Sequence, residues 1–115
     1  MDYKEALNFV VAQPLDKIVS HANGTFEYAP TVDALITACL DDFDMAVYDD
    51  YVTTAKFRPE LLELKENKKQ PSEFSKSDLQ LFLVIQQKAE DIMAGQIAAI
   101  IENGVLIKVA KEIKK

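Results

Sequence analysis

The densest chemistry in this sequence is acidic. Asp41, Asp42, Asp44, Asp49 and Asp50 crowd into the stretch LDDFDMAVYDD. Carboxylates are hard oxygen ligands of the kind that hold Mg²⁺ or Ca²⁺. Their spacing lacks the central glycine and terminal glutamate of an EF-hand loop. Wound on a helix, Asp41 and Asp44 fall on one flank and Asp42 and Asp49 on the other. Phe43 and Val47 then lie in an apolar stripe between them. This pattern predicts two solvated flanks rather than a metal site. The other use of such a cluster is an acidic surface presented to a basic partner, as a nucleic-acid mimic would do.

Nucleophilic chemistry finds little support. His21 is the only histidine and Cys39 the only cysteine. A triad needs a histidine beside a serine or cysteine and an acid. Ser20 is the immediate neighbour of His21, and on a helix the two side chains would point about 100° apart. Cys39 falls in an apolar stripe, where a free cysteine acts as a small core hydrophobe. One histidine and one cysteine fall short of the three or four ligands that zinc requires. The Glu-x-x-His pairs of ferritin-like proteins are absent, as are GxGxxG and GxxxxGK[ST] loops. Tyr28, Tyr48 and Tyr51 with Phe26, Phe43 and Phe57 could line a small pocket, but aromatic residues at this spacing more commonly form core. The sequence therefore assigns no catalytic residue, metal or cofactor.

Composition narrows the class. The chain has 115 residues, 49% of them hydrophobic and 28% charged, with a net charge of −6. That describes one globular domain, residues 1–115, long enough to bury a core without staples. Only 13 residues are basic, and a single one, Arg58, is arginine. Nucleic-acid recognition leans on basic surface and arginine forks, so no direct nucleic-acid binding is expected. No apolar run approaches the roughly 18 residues of a membrane span. The acidic, amphipathic start MDYKEALNF does not resemble a signal peptide, and a single cysteine suits a reducing compartment. The expected location is the cytoplasm, or the host cytoplasm or virion if the source is viral.

The elements that would carry these residues read as helices. The longest is SDLQLFLVIQQKAEDIMAGQIAAIIEN, from Ser77 to Asn103. Ser77 and Gln80 have the spacing of a capping box, and Gly104 suits the left-handed position that ends a helix. One helix over about 78–103 would be roughly 39 Å long. Its apolar residues span an arc of about 200°, twice an ordinary stripe, and so need cover from two directions. Within it, Phe82, Ile85, Ala89, Ile92, Gln96, Ala99 and Asn103 recur at heptad-like spacing. That seam could join two copies, with Gln96 and Asn103 fixing register, or it could be core within one chain.

Around this helix the sequence predicts shorter ones. Residues 2–12 place Tyr3, Leu7, Val10 and Val11 on one face. Leu15, Ile18, Val19 and Ala22 form a second face that ends at a turn, Asn23-Gly24. Thr25–Tyr28, with no evident partner strand, reads as a structured loop. Thr31 is placed to cap a helix over Val32–Tyr48, with Tyr51 and Val52 in the turn beyond. Pro59 opens a helix through Lys65 that buries Phe57, Leu61 and Leu64. Lys65–Ser77 is a polar loop anchored by Phe74. Leu106, Val109, Ala110 and Ile113 have helical spacing near the end, although Val105–Ile107 alone would also suit a strand.

The resulting expectation is an all-α bundle of five or six helices around residues 78–103, with Val32–Val47 as the main partner of that helix. The expected function is a non-enzymatic protein-interaction or assembly module, self-associating through the long helix, such as an adaptor or a minor component of a viral particle. The alternative is an acidic inhibitor or immunity-type protein presenting Asp41–Asp50 to a basic partner. Neither reading involves a membrane.

Overall fold

A computed structural model describes residues 3–12, 19–22, 25–54 and 58–115. Seven α-helices and one short hairpin account for most of them. In chain order they are α1 (Tyr3–Ala12), β1 (Val19–Ala22), β2 (Thr25–Tyr28), α2 (Pro30–Cys39), α3 (Met45–Thr54), α4 (Pro59–Lys65), a 3₁₀ turn (Pro71–Glu73), α5 (Lys76–Ile92), α6 (Gln96–Glu102) and α7 (Val105–Ile113). The all-α class expected from periodicity holds.

One hydrophobic core draws fully buried residues from six of these helices, and α3 adds half-buried Val47, Tyr48 and Tyr51 at its edge. Helix α1 packs on α2 and α7, and α7 also packs on α5, α6 and the 3₁₀ turn. Tyr3 ties the two ends of the described chain together, its hydroxyl donating to Ala110 O at 2.9 Å. On α1 the inward residues are Ala6 and Val10. Val11, placed inward by the sequence reading, is exposed. Helix α7 keeps the expected face, burying Leu106, Val109, Ala110 and Ile113.

Two helices end sooner than periodicity indicated. The first is the 78–103 helix, which is two helices, α5 and α6, separated by Met93–Gly95. Met93 is extended (φ −140°, ψ 108°) and Gly95 is left-handed (φ +103°). The cause is Glu90, whose carboxylate folds over the break. Its Oε2 accepts from Gly95 N at 2.7 Å and its Oε1 from Ile97 N at 2.9 Å. Tyr28, arriving from β2, donates its hydroxyl to Glu90 Oε1 at 2.9 Å and accepts from Ala98 N at 2.9 Å. The first turn of a helix exposes amide groups without intrahelical partners, and these two side chains supply partners for α6. The wide apolar arc is nonetheless covered as expected where it is widest, since Leu79 through Val84 are all buried on α5.

The start of α5 also differs. Ser75, not Ser77, is the N-cap, accepting from Asp78 N at 3.1 Å. Gln80 closes no capping box and is buried. The second early break falls within the expected Val32–Tyr48 helix. Helix α2 stops at Cys39, and α3 restarts at Met45 and runs through Tyr51 and Val52, which were expected in a turn. Asp44 makes this restart, with Oδ1 accepting from Ala46 N at 2.9 Å. Aspartate competes for backbone donors at a cap better than it serves inside a helix. Thr31 is not a cap, because Pro30 opens α2 and the Thr31 hydroxyl is buried.

The hairpin corrects the loop expected at Thr25–Tyr28. Val19 pairs with Tyr28, Ser20 with Glu27, His21 with Phe26 and Ala22 with Thr25, antiparallel. Val19 and Ala22 are thus strand rather than helix. Leu15, Ile18, Asn23-Gly24 and Phe57 lie outside the described residues. In the polar stretch after α4, Pro71 is buried and Phe74 half-buried beside it.

Replacing Glu90 by Ala should cost about 2 kcal/mol of stability in chemical denaturation, the range for a lost cap and charged hydrogen bonds. Glu90→Gln keeps one acceptor and should cost less. Burial and the hydrogen bond to Glu90 raise the Tyr28 phenol above the ordinary tyrosine range. Its contribution is therefore complete below the unfolded value of about 10 and declines as pH rises beyond it. Thermal melts taken upward from about pH 9 should show a steeper alkaline decline for the native chain than for Tyr28→Phe.

Candidate functional site

The acidic cluster is dispersed by the turn between α2 and α3. Asp41 pairs with Lys114 at 3.5 Å. Asp42 pairs with Lys76 and accepts from Gln80 Nε2 at 2.6 Å, and Gln80 Nε2 also donates to Cys39 O at 2.9 Å. The hydrogen bonds from Lys76 and then Gln80 hold the Asp42 carboxyl below the usual aspartate range. Asp44 is occupied as the cap of α3. Asp50 lines a surface hollow of about 340 Å³ together with Arg58 and Asp78. The expected flank geometry, with Asp41 and Asp44 opposite Asp42 and Asp49, is lost because Asp41 and Asp42 belong to no helix. Among the described residues, no group of three or more His, Cys, Asp or Glu side chains could hold a metal ion.

Cys39 is fully buried, and burial pushes its thiol up to about 11. A thiol held neutral is a weak nucleophile, which fits the core role read from its spacing. His21 is fixed by backbone pairing to Phe26. Among the described residues, Tyr28 is apart from the other tyrosines read as pocket candidates. Tyr28 serves Glu90, whereas Tyr48 and Tyr51 sit together on α3 with ring centres 6.4 Å apart.

The break in the long helix also divides the heptad-like seam. Phe82 is core. Gln96 and Ala99 are carried onto α6, where Ala99 is exposed and Gln96 Oε1 accepts from Lys65 Nζ. Asn103, just past α6, donates Nδ2 to Lys65 O at 2.8 Å and accepts from Val105 N at 3.1 Å. The two polar seam positions therefore tie the end of α4 to α6 and α7. What is left on α5 is Ile85, Ala89 and Ile92, at i, i+4 and i+7. The first two are half-buried, and Ile92 is 89% exposed.

Beside that remnant lies a groove of about 220 Å³ whose α5 wall is Ile85, Gln86 and Ala89. Tyr51 of α3, Leu61, Leu62 and Lys65 of α4, and Arg58 just before α4 complete it. Leu62 stands at its edge, 48% exposed. Arg58 is held by Glu60 and by Asp78 at 3.4 Å, and its guanidinium is kept firmly charged, chiefly by the Glu60 hydrogen bond. Gln86 is only 5% exposed, and its Oε1 accepts no hydrogen bond among the described residues. A buried acceptor without a donor costs about 1–3 kcal/mol. From the sequence, neither Gln86 nor Arg58 gains a place in a site. The available signals were the uniqueness of the arginine, placed directly before Pro59, and a glutamine inside an apolar arc.

The chain matches no protein-family model, no curated protein and no solved structure. Among the described residues, no helix is long and apolar enough to cross a membrane.

Because Asp42 is depressed when folded, its contribution is present above the unfolded value of about 3.9 and is lost as pH falls through its folded value. Asp42→Asn should therefore flatten the acid limb of the stability curve. Carboxyl-detected NMR titration should place Asp42 below the ordinary aspartate value of about 3.9. An Asp42 midpoint at the ordinary value would show that the Lys76 and Gln80 contacts do not persist in solution.

Proposed function

We propose that this chain is a non-enzymatic protein-binding or assembly module whose contact face is formed by α3, α4 and the second half of α5. The observation that carries the reading is the exposure of Ile92 at the end of the Ile85–Ala89–Ile92 stripe, next to the groove rimmed by exposed Leu62. Met93 extends the apolar corner, at 66% exposed. Single exposed apolar residues are ordinary, but an aligned set bordering a groove marks a contact surface. Such a groove suits the apolar face of a partner helix. Self-association through a straight heptad seam has less support, because Phe82 is core and the seam turns at Met93–Gly95.

The acidic-inhibitor reading has a narrower basis. Asp41 and Asp42 are engaged within the chain. Asp44, Asp49 and Asp50 make no ion pair among the described residues, and they alone would remain to face a basic partner.

The test uses the full chain and the variants Ile92→Asp and Leu62→Asp as crosslinking baits in lysate of the source cell, with light scattering to follow self-association. A partner captured by the native chain should fall at least tenfold with either variant. Capture that is unchanged by both substitutions would remove this face from consideration.

A further inference from the structure

We infer that the face formed by α3, α4 and the second half of α5 binds a second copy of this chain, with the outer row of α3 in each copy lying on the α3–α4–α5 groove of the other. The inference rests on the reading of this face as the contact surface and names its occupant. It does not use the straight heptad-like seam, whose Phe82 is core.

The exposed apolar side chains set the location. Among the described residues, the large ones are Val11, Met45, Val52, Leu62, Ile92 and Met93. All but Val11 lie on α3, on α4 or at the end of α5. Helix α3 is the element most in need of cover. It is ten residues long and buries none of them fully. Isolated helices shorter than roughly 12–15 residues are marginal in water, so packing must hold a helix of this length. Its half-buried side chains, Val47, Tyr48 and Tyr51, meet the edge of the core. Met45, Asp49 and Val52 are exposed at i, i+4 and i+7 and form one row along the helix.

Charge decides what covers that row. Asp49 stands between two apolar residues and makes no ion pair or hydrogen bond among the described residues. The groove has the opposite sign. Arg58 and Lys65 stand among its lining residues, and no carboxylate does. Arg58 is already held by Glu60 and Asp78. Lys65 Nζ reaches only the neutral carboxamide of Gln96. Lys88, one turn beyond Ile85 on α5, has its Nζ 6.0 Å from the centre of the Tyr48 ring and no carboxylate partner. One chain therefore carries both halves of a complementary contact, an apolar row with an unpaired anion and an apolar groove with unpaired cations. A two-fold pair uses each half twice, which is the economy of an isologous interface. A net charge of −6 opposes association of two copies in general. A local match of opposite charge is what sets the register of such a contact and lets it form.

The experiment is sedimentation of the full chain over a range of concentrations. The native chain should show a monomer–dimer equilibrium. Asp49→Lys, and separately the double variant Lys65→Glu with Lys88→Glu, should each weaken dimerisation by about tenfold or more, because like charges then meet at both symmetric contacts. Mixing the two variants in equal amounts should restore the dimer, because every contact of the mixed pair again joins opposite charges. Mixing cannot repair a folding defect, so the rescue isolates the contact between copies. A native chain that is monomeric at every concentration, a dimer that both variants leave unaltered, or weakened dimers that mixing does not restore would overturn the inference. A monomer whose capture of a lysate protein falls with the double lysine variant would overturn it too, by giving the groove to an acidic segment of another protein. The contact-face reading fails separately. A monomer that loses lysate capture with Ile92→Asp removes only the second copy, whereas a dimer and a capture that are both unaltered by Ile92→Asp and Leu62→Asp remove the face itself.

Discussion

The carboxylate of Glu90 is the contact on which the arrangement of this molecule depends. A straight helix over residues 78–103 would be roughly 39 Å long. The whole chain measures 37 × 34 × 25 Å. An unbroken helix would take up that whole length in one direction and could not turn its second half back onto the core. By taking the amides of Gly95 and Ile97, Glu90 starts a second helix at once. Tyr28 takes the next amide and joins the hairpin to the same point. Helix α6 can then return Ile97, Ile100 and Ile101 to the core. The turn that makes this possible leaves Ile92 and Met93 on its outer corner. The exposed apolar corner is therefore a geometric consequence of the cap, and the same contact that closes the core creates the candidate contact face.

How much of this was legible in the sequence follows from what periodicity measures. Apolar spacing reports which face of a segment is buried. It correctly made the fold all-α, set the inward face of α7, opened α4 at Pro59 and buried Cys39. It does not report where a segment stops. Both helices read as too long are cut by carboxylates that bond to backbone amides a few residues ahead, Glu90 in one case and Asp44 in the other. A glutamate inside a helix pattern carries no mark that separates a solvated side chain from one that reaches forward to cap. Gly95 was such a mark, and its weight was lost among the apolar residues on either side. The hairpin was more legible than the reading made it. Asn23-Gly24 flanked by short apolar segments is a strong hairpin signal, but the helical spacing of Ile18, Val19 and Ala22 competed with it.

The candidate site was less legible than the fold, for a related reason. The acidic cluster was conspicuous because its members are neighbours in sequence. In space, Asp41 is drawn to Lys114 just past α7 and Asp42 to Lys76 at the start of α5, while Asp50 lines a different hollow. Groups that are neighbours in the groove come from three helices and the residue before one of them. No spacing rule links Tyr51, Arg58, Leu62 and Gln86. Proximity of that kind is a product of packing, and it became visible only once the break at Met93–Gly95 had set the course of α5 and α6.

The two buried glutamines of α5 sharpen the distinction between residues that serve the fold and residues left over from it. Gln80 and Gln86 are almost equally inaccessible. Gln80 bridges two elements, giving Nε2 to Cys39 O and to Asp42. It fastens the start of α5 to the end of α2 just where the chain reverses, and an apolar replacement would leave Cys39 O without its donor. Gln86 Oε1 has no such employment. A leucine of similar size would fill the same space, remove an unpaired acceptor and favour folding. Stability alone therefore accounts for a polar residue at position 80 and counts against one at position 86. The difference lies in where each side chain sits. Gln80 faces another part of the same chain, whereas Gln86 borders the groove with its Oε1 sealed beneath the surface.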